Sequence, residues 1–210
     1  MSPFISIIIP FYGTADPVLL QRCLDSIRRQ GMEEGSYEII VVDDNGKGLG
    51  GARNQGIRQA TGTYLMFVDA DDYLFPNLSY CFPYLLKYTP DVCSFQMCEV
   101  NRPGVIPQSF NYKWEVYESG AEYMSKNNFM GTAWRHFFSR SFLNIHGLAF
   151  AESCFHEDED FVAKAYCLAS TTLITDYPVY AYFRSSSSII HERALQIRLK
   201  RLNDFRGMLY

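Results

Sequence analysis

Short apolar strands alternate with helical segments through the first third of this 210-residue chain. Residues 4–10 (FISIIIP), 37–42 (YEIIVV) and 64–68 (YLMFV) are β-branched or aromatic runs, typical of strands buried on both faces of a parallel sheet. An Asp-Pro helix start follows the first run, and residues 51–60 predict a second helix. The order β-α-β-α-β predicts an α/β fold, a three-layer sandwich with a mainly parallel central sheet.

The remaining two thirds of the chain predict further strands and helices, and the total length suits one domain. Helices are predicted over residues 78–88, 119–126, 139–145 and 157–169, and strands over residues 92–100 and 179–183. An amphipathic C-terminal helix with several basic residues is predicted within residues 193–210.

Acidic residues directly follow two of the three N-terminal strands. Asp43 and Asp44 end the second strand, and Asp69, Asp71 and Asp72 follow the third. In open parallel sheets, ligands bind beyond the carboxyl ends of the strands. A single Asp there often caps a helix or lies in solvent, but clustered carboxylates repel one another unless a cation joins them. The Asp-x-Asp spacing therefore predicts a site for Mn²⁺ or Mg²⁺, which prefer oxygen ligands.

The first two strand ends add groups that suit a nucleotide. Tyr12 can stack on a flat ring, Asp44 can accept a hydrogen bond from a ring N–H, and Arg53 can reach a phosphate. Together with the Asp-x-Asp sequence, these residues predict a site for a nucleotide diphosphate.

Four consecutive acids, residues 157–160 (EDED), lie where a loop leads into a predicted helix. Negative charge is favourable at a helix N-terminus, which explains the run without any catalytic role. The alternative is that one carboxylate is a general base for an acceptor hydroxyl. The spacing does not distinguish Asp158 from its neighbours.

Charge and apolar content limit the partners and the location. The net charge of −4 and the pI of about 5.6 argue against nucleic-acid binding. No apolar run approaches the length of a membrane helix, and the six cysteines are scattered without a C-x-x-C pair, so we expect a soluble, cytoplasmic protein. The C-terminal helix is expected to pack on the domain or on a second copy in a homo-oligomer. The alternative is peripheral contact with the inner face of a membrane.

Seven segments, in this order, resemble the bacterial family 2 glycosyltransferases with the GT-A (Rossmann-like) fold. They are SIIIPFYG (6–13), LQRCLDSIRRQ (20–30), YEIIVVDDN (37–45), ARNQGIRQATGTYLMFVDADD (52–72), AWRHFFSRSF (133–142), FHEDEDF (155–161) and YAYFRSSSSI (180–189). The set is specific although each piece alone is weak. The resemblance implies inverting, metal-dependent transfer of a sugar from a nucleotide diphosphate, commonly UDP, as in cell-surface polysaccharide synthesis.

The resemblance also implies a role for individual residues. The nucleotide-binding set would be Pro10, Tyr12, Asp43, Asp44, Arg53 and Asp69. Asp71 would be the principal metal ligand beside Asp69, with His191 a third ligand or simply an exposed loop residue. The family's Glu-Asp motif falls on Glu157 and Asp158, which makes Asp158 the catalytic base.

The resemblance further divides the chain by role. Residues 1–100 would form the nucleotide-sugar-binding half of the domain, and residues 101–192 the acceptor-binding and catalytic half, followed by the C-terminal helix at 193–210. Trp134, Glu157 and Arg184 would border the sugar and a saccharide or lipid-linked acceptor.

The sequence departs from the family at one point. Only seven residues, 45–51, separate Asp44 from Ala52, whereas family members usually have a longer segment there. Either the protein has a deletion, or a natural loop is absent from this sequence. Two other functions remain open: a nucleotidyltransferase, although PFYGTADP lacks the expected basic residue, and a catalytically silent module that binds a sugar or nucleotide.

Overall fold

The computed structural model describes residues 2–11, 16–43, 45–101, 111–128, 130–184 and 203–204. The strands are β1 (Ile5–Phe11), β2 (Tyr37–Asp43), β3 (Tyr64–Phe67), β4 (Tyr73–Leu74), β5 (Val92–Val100), β6 (Trp114–Tyr117), β7 (His136–Ser139) and β8 (Thr172–Phe183). The helices are α1 (Pro17–Arg28), α2 (Gly48–Gln59), α3 (Phe82–Tyr88), α4 (Gly120–Lys126), α5 (Arg140–Ile145) and α6 (Glu157–Leu168). Two 3₁₀ turns lie at Leu78–Cys81 and Ala133–Arg135.

The described strands form one mixed sheet in the order β2-β1-β3-β7-β5-β8-β4, with β6 paired to β8. Strand β1 is parallel to both β2 and β3, and β5 is parallel to β8. Strand β7 is antiparallel to β3 and β5 and joins these two parallel parts. The α/β prediction is confirmed, and the second predicted half contributes β7 to the middle of the same sheet. The functional division into two halves stays a prediction.

Alternate residues of β1 lie in two different cores. Ile7 and Ile9 pack with Cys23 and Ile27 of α1, whereas Ile8 packs in the core that contains α2, α5 and α6. Because successive strand residues point to opposite faces, helices must cover both faces to bury such a continuous apolar run. The predicted three-layer arrangement is thereby confirmed.

Glycines allow α2 to approach its neighbours closely. A Cβ on Gly56 would lie 2.3 Å from a methyl carbon of Ile8, and one on Gly50 would lie 2.1 Å from the carbonyl oxygen of Ala151. These contacts leave no space for a larger side chain. Helix α2 therefore lies directly on β1 and on the segment that precedes α6.

The connection from β2 to α2 is a tight turn in which Asn45 and Gly46 both have positive φ angles. The Asn45 N–H donates to the Asp43 carboxylate over 2.8 Å. This turn is the short connection noted in the sequence.

Only residues 203 and 204 of the predicted C-terminal helix are described, and both are helical. The Asp204 carboxylate accepts a hydrogen bond of 2.9 Å from the Phe155 N–H, which places this point of the C-terminal segment against the loop before α6. None of the helices in the described ranges has the length and apolarity needed to cross a bilayer.

Candidate active site

A buried arginine gathers three carboxylates at the carboxyl edge of the sheet. Arg53 lies in α2, and its side chain is only 2% exposed. One terminal nitrogen donates to Glu157 over 3.0 Å and to Asp158 over 2.5 Å, and the other donates to Asp69 over 3.0 Å. The Phe150 ring lies 5.4 Å from the guanidinium carbon. This arrangement, which we call the Arg53 cluster, joins the end of β3 to the start of α6.

The Arg53 cluster places three acidic side chains around one guanidinium, so the acidic groups outnumber the positive charge. Burial alone would lower the pKa of Arg53, but the charges of Asp158, Asp69 and Glu157 together raise the pKa above its ordinary value. A buried cation without partners is very unfavourable, so these carboxylates are what keep Arg53 inside the protein.

The structure separates the four acids that the sequence could not distinguish. All four lie in the first turn of α6, where the helix N-terminus favours negative charge. Glu157 and Asp158 face Arg53, whereas Asp160 pairs with Lys164 over 2.7 Å and Glu159 lies 3.3 Å from His156.

Asp158 has the surroundings that a general base needs. One of its carboxylate oxygens accepts from Arg53, and the other accepts from the Ala133 N–H over 3.0 Å. Burial raises the pKa of Asp158 to about 7; the charge of Arg53 opposes this rise, and the charges of Glu157 and Asp69 add to it. A carboxyl group with this pKa can take a proton near neutral pH.

The last two carboxylates of the Asp-x-Asp-Asp turn have different surroundings. Asp71 forms no ion pair with any described residue, and burial and the charge of Asp69 raise the pKa of its carboxyl group. Asp72 is buried and accepts 2.7 Å hydrogen bonds from the Tyr180 hydroxyl and the Phe183 N–H. Asp72 therefore anchors the turn to β8, and Asp71 is the carboxylate left available to a ligand.

The Tyr180 hydroxyl connects the two ends of this turn. It donates to Asp72 and accepts from the Asp69 N–H over 3.1 Å. The Trp134 ring stacks on Tyr180 at a centroid distance of 4.6 Å and on Tyr182 at 5.7 Å. This contact places the candidate acceptor residue Trp134 beside the Asp-x-Asp turn.

We expect Tyr180→Phe to lower the free energy of unfolding by about 1–3 kcal/mol, because it leaves buried polar groups at Asp69 and Asp72 unpaired. Denaturant unfolding followed by circular dichroism measures this change. The matched control is Tyr37→Phe, on β2, which has no hydroxyl hydrogen bond among those described here. Equal stability of Tyr180→Phe and the control would contradict the anchoring role.

Four other predicted site residues lie in the described part of the chain. Pro10 is buried in β1, opposite Val42 in the pairing register with β2, and Asp43 is exposed at the end of β2. Trp134 is 7% exposed. Arg184 is exposed and pairs with Glu99 over 2.6 Å. Tyr12, Asp44 and His191 lie outside the described residues, and their predicted roles stay predictions.

The described carboxylates have the type of ligand atom, oxygen, that a hard cation prefers. Asp69 and Asp71 carry the carboxylate oxygens that Mn²⁺ and Mg²⁺ prefer, and a bound cation would oppose the repulsion from Asp69 that adds to the effect of burial in raising the pKa of Asp71. Within the described ranges no group of three or more His, Cys, Asp or Glu side chains is arranged to hold a metal ion. The remaining ligands would therefore have to come from a substrate or from other residues of the chain.

Two residues near this turn were not among the predicted site residues. Arg22 of α1 donates to the Asp71 carbonyl oxygen over 2.5 Å, and its guanidinium carbon lies 4.0 Å from the centre of the Phe183 ring. Tyr180 is the other. Neither a helix pattern nor a strand pattern marks these side chains as different from their neighbours, so only the fold brings them to the turn.

Two solved structures have a fold similar to that of this chain. Staphylococcus aureus TarS 1-349 in complex with UDP-GlcNAc superposes with a TM-score of 0.75 and 23% identity, covering 93% of this chain and 62% of that one. The mannosyltransferase PcManGT of Pyrobaculum calidifontis, solved with GDP-Man and Mn²⁺, gives a TM-score of 0.58 and 17% identity over 99% of this chain and 63% of that one. The predicted GT-A fold is confirmed.

A curated relative extends the similarity to sequence. The uncharacterized glycosyltransferase EpsJ of Bacillus subtilis (strain 168) is 29% identical over 227 aligned positions, which cover 90% of this chain and 63% of EpsJ. The chain thus spans less than two thirds of that relative. The 227 positions exceed the part of the chain they cover, so EpsJ has additional residues inside the aligned region.

The sequence model of Glycosyl transferase family 2 matches residues 6–47 and 45–143. Its two segments meet at the short connection between β2 and α2, which is the point where the sequence departs from the family pattern. The matched residues include β1 from its second residue onward, β2, β3, α2 and the Asp-x-Asp-Asp turn. The chain belongs to Glycosyl transferase family 2.

Proposed function

We propose that this protein transfers a sugar from a nucleotide-diphosphate sugar, most simply a UDP-sugar, to an acceptor hydroxyl with inversion at the anomeric carbon. The observation that carries the proposal is the Arg53 cluster, in which a carboxylate with a raised pKa, Asp158, is tied to Asp69 of the Asp-x-Asp turn. A proton acceptor and a candidate cation site thus lie at the same edge of the sheet.

The donor would bind across the carboxyl ends of β1, β2 and β3. Pro10 and Tyr12 would line the base, with Asp43 and Asp44 at the ring and Asp69 towards the ribose and phosphates. Asp71 and Asp69 would hold Mn²⁺ or Mg²⁺, with His191 as a further ligand. Bound there, such a cation would stabilise the negative charge of the departing diphosphate. The UDP-GlcNAc bound to TarS and the Mn²⁺ bound to PcManGT support this choice of ligand classes.

The transfer step follows from the position of Asp158. Its carboxylate takes the proton of the acceptor hydroxyl while that oxygen forms a bond to the anomeric carbon. The bond from the anomeric carbon to the diphosphate breaks on the opposite face, and the diphosphate leaves with the bonding electrons. One displacement inverts the anomeric configuration, and no covalent intermediate with the protein is formed.

The acceptor would lie on the side of Trp134 and Arg184, near the start of α6. The carboxylate of Glu157 is paired with Arg53, so Glu157 would act on the acceptor indirectly, through Asp158. A saccharide or a lipid-linked saccharide is the proposed acceptor class, as in cell-surface polysaccharide synthesis. A cytoplasmic location belongs to the same proposal; the C-terminal segment would pack on the domain or on a second copy in a homo-oligomer, or alternatively make peripheral contact with a membrane.

A donor screen tests the proposed activity. Release of nucleoside diphosphate is measured with Mn²⁺ and a mixture of saccharide acceptors, using UDP-glucose, UDP-galactose, their N-acetyl forms and GDP-mannose. We expect release from at least one UDP-sugar. UDP binding without release from any donor would indicate the silent binding module instead, and pyrophosphate release from a nucleoside triphosphate plus a sugar phosphate would indicate a nucleotidyltransferase.

The activity should depend on pH as the Asp158 carboxyl group does. A base must be ionised, so we expect kcat/KM for the donor to rise with pH through about 7 and then to level off. Glu157→Gln should move this rise to lower pH, because the charge of Glu157 raises the pKa of Asp158. A pH–rate profile measures both effects. A rise centred near the ordinary Asp value of about 4 would contradict the assignment.

A further inference from the structure

Arg53 was predicted from the sequence to lie near the nucleotide or its phosphates, but its hydrogen bonds go to protein carboxylates. Both terminal nitrogens donate within the Arg53 cluster, and the side chain is 2% exposed. The third nitrogen, Nε, is buried and has no hydrogen-bond partner among the described residues. In this state the guanidinium presents no accessible donor to a phosphate.

The three carboxylates of the Arg53 cluster come from two different parts of the chain. Within the described ranges, no other side-chain ion pair joins these two parts. Asp69 follows β3 and belongs to the proposed donor side, and its side chain is 25% exposed. Glu157 and Asp158 begin α6 and belong to the acceptor side. A single planar guanidinium holds both sides, with fixed directions for its N–H groups.

The burial of this guanidinium makes its position well defined. It lies beside the Phe150 ring, and the close contacts of Gly50 and Gly56 hold α2 against the segment before α6 and against β1. A side chain packed in this way cannot be displaced without leaving several carboxylates unpaired in a buried site. The position of the Asp158 carboxylate is therefore set by Arg53 together with the Ala133 N–H.

We propose that Arg53 is a positioning residue that acts through Asp158: it orients the base for the acceptor and ties the base to Asp69, rather than binding the phosphates of the donor. The proposal rests on the sugar-transfer function proposed above and adds the residue that couples its two sides. When a donor and its cation engage Asp69, the same guanidinium links that event to the orientation of Asp158.

The test compares Arg53→Met with Arg53→Lys and with a control on the same helix. Arg58 is exposed in the last turn of α2 and lies outside the cluster, so Arg58→Met is the matched control. We expect Arg53→Met to lower turnover at saturating donor by about 100-fold or more, because a base displaced by about 1 Å loses that much. The affinity for UDP with Mn²⁺, measured by calorimetry, should stay within about threefold, because the lost interaction acts on the transition state.

Two results of the binding and turnover measurements would overturn the proposal. One is a UDP affinity weakened by about tenfold or more with turnover at saturation near that of wild type, which would make Arg53 a phosphate ligand. The other is wild-type turnover together with wild-type affinity. If Arg53→Met does not fold, Arg53→Lys is used instead, because it keeps the positive charge but lacks the paired N–H donors of a guanidinium. Lowered turnover with unchanged UDP affinity in Arg53→Lys would support the positioning role. Wild-type turnover in Arg53→Lys would overturn it.

A carboxyl NMR titration tests the role of Arg53 without any measurement of sugar transfer. The ¹³C carboxyl signal of Asp158 is assigned by its absence in Asp158→Asn, and its titration is compared in wild type and Arg53→Met. The charges that face Asp158 are those of Arg53, Glu157 and Asp69; of these charges only that of Arg53 lowers the pKa of Asp158, and the hydrogen bond from the Ala133 N–H, which the substitution does not remove, also lowers it. Removing Arg53 should therefore move the titration midpoint to higher pH. An unchanged midpoint would overturn the proposal, even if wild type transferred no sugar and the proposed function itself had failed.

Discussion

Asp158→Asn is expected to lower sugar transfer by about 10³-fold or more, since general bases contribute about 10²–10⁴-fold to catalysis and the amide cannot accept the proton. The amide keeps the size of the side chain, but its single oxygen can accept from Arg53 or from the Ala133 N–H and not from both, because these donors bind different oxygens of Asp158. Since Asp158 belongs to the proposed acceptor side of the site, the affinity for UDP should remain close to that of wild type. Initial rates of UDP release and calorimetric titration with UDP measure the two quantities.

The matched control for this experiment is Asp160→Asn. Asp160 lies in the same first turn of α6, but its carboxylate pairs with Lys164 rather than with Arg53. We expect the control to transfer sugar at nearly the wild-type rate. Equal rates for Asp158→Asn and wild type would contradict the role of Asp158 as base, and a loss in Asp160→Asn as large as that in Asp158→Asn would show that the effect is not specific to the cluster.

Asp71→Ala is expected to weaken the Mn²⁺-dependent affinity for UDP by at least tenfold, because loss of metal-supporting residues typically costs about 10–100-fold in metal affinity. Asp71→Ala should not lower the stability of the folded protein, unlike most substitutions of a partly buried residue. The raised pKa of Asp71 means that its ionised form is disfavoured in the folded protein, so removing the carboxylate relieves repulsion from Asp69.

Calorimetric titrations with UDP, in the presence of Mn²⁺ and of EDTA, test this expectation. Wild type and Asp71→Ala should differ only when Mn²⁺ is present, and their melting temperatures should agree. UDP affinity that is equal in the two proteins with Mn²⁺ would contradict the assignment of Asp71 as a metal ligand. A large fall in melting temperature would instead mean that Asp71 supports the fold.

The apolar periodicity predicted the N-terminal part of the fold and the sheet edge that carries the site. Strands β1 and β3 are buried on both faces, and their continuous apolar runs have few alternatives. The prediction that β2 is also buried on both faces was wrong, because β2 lies at the edge of the sheet and Val41 is exposed. Strand β7 was not predicted, because HFFS is too short to show a period and is antiparallel within an otherwise parallel neighbourhood. Strand β8 was predicted only in part. Its N-terminal portion contains Pro178, which lies where the pairing with β5 shifts register, and proline usually argues against a central strand.

The candidate site was predicted in its composition but not in its contacts. Strand ends and acid spacing marked Asp69, Asp71 and the acids of α6, because these depend only on local sequence. The choice of Asp158 and Glu157 as the pair facing Arg53 depends on the rotation of α6 relative to α2, which no local pattern encodes. The same holds for Asp72, whose carboxylate turns towards Tyr180 from more than a hundred residues away in the chain.

The stereochemistry of the first-formed product distinguishes a single displacement at the anomeric carbon from other routes of sugar transfer. With the donor identified by the screen, ¹H NMR records the anomeric signal of the transferred or hydrolysed sugar before it can mutarotate. A single displacement assisted by Asp158 predicts that an α-linked UDP-sugar yields the β-anomer. First formation of the α-anomer would contradict a single displacement assisted by Asp158, since retention requires either a second displacement or a reaction on the same face as the departing diphosphate.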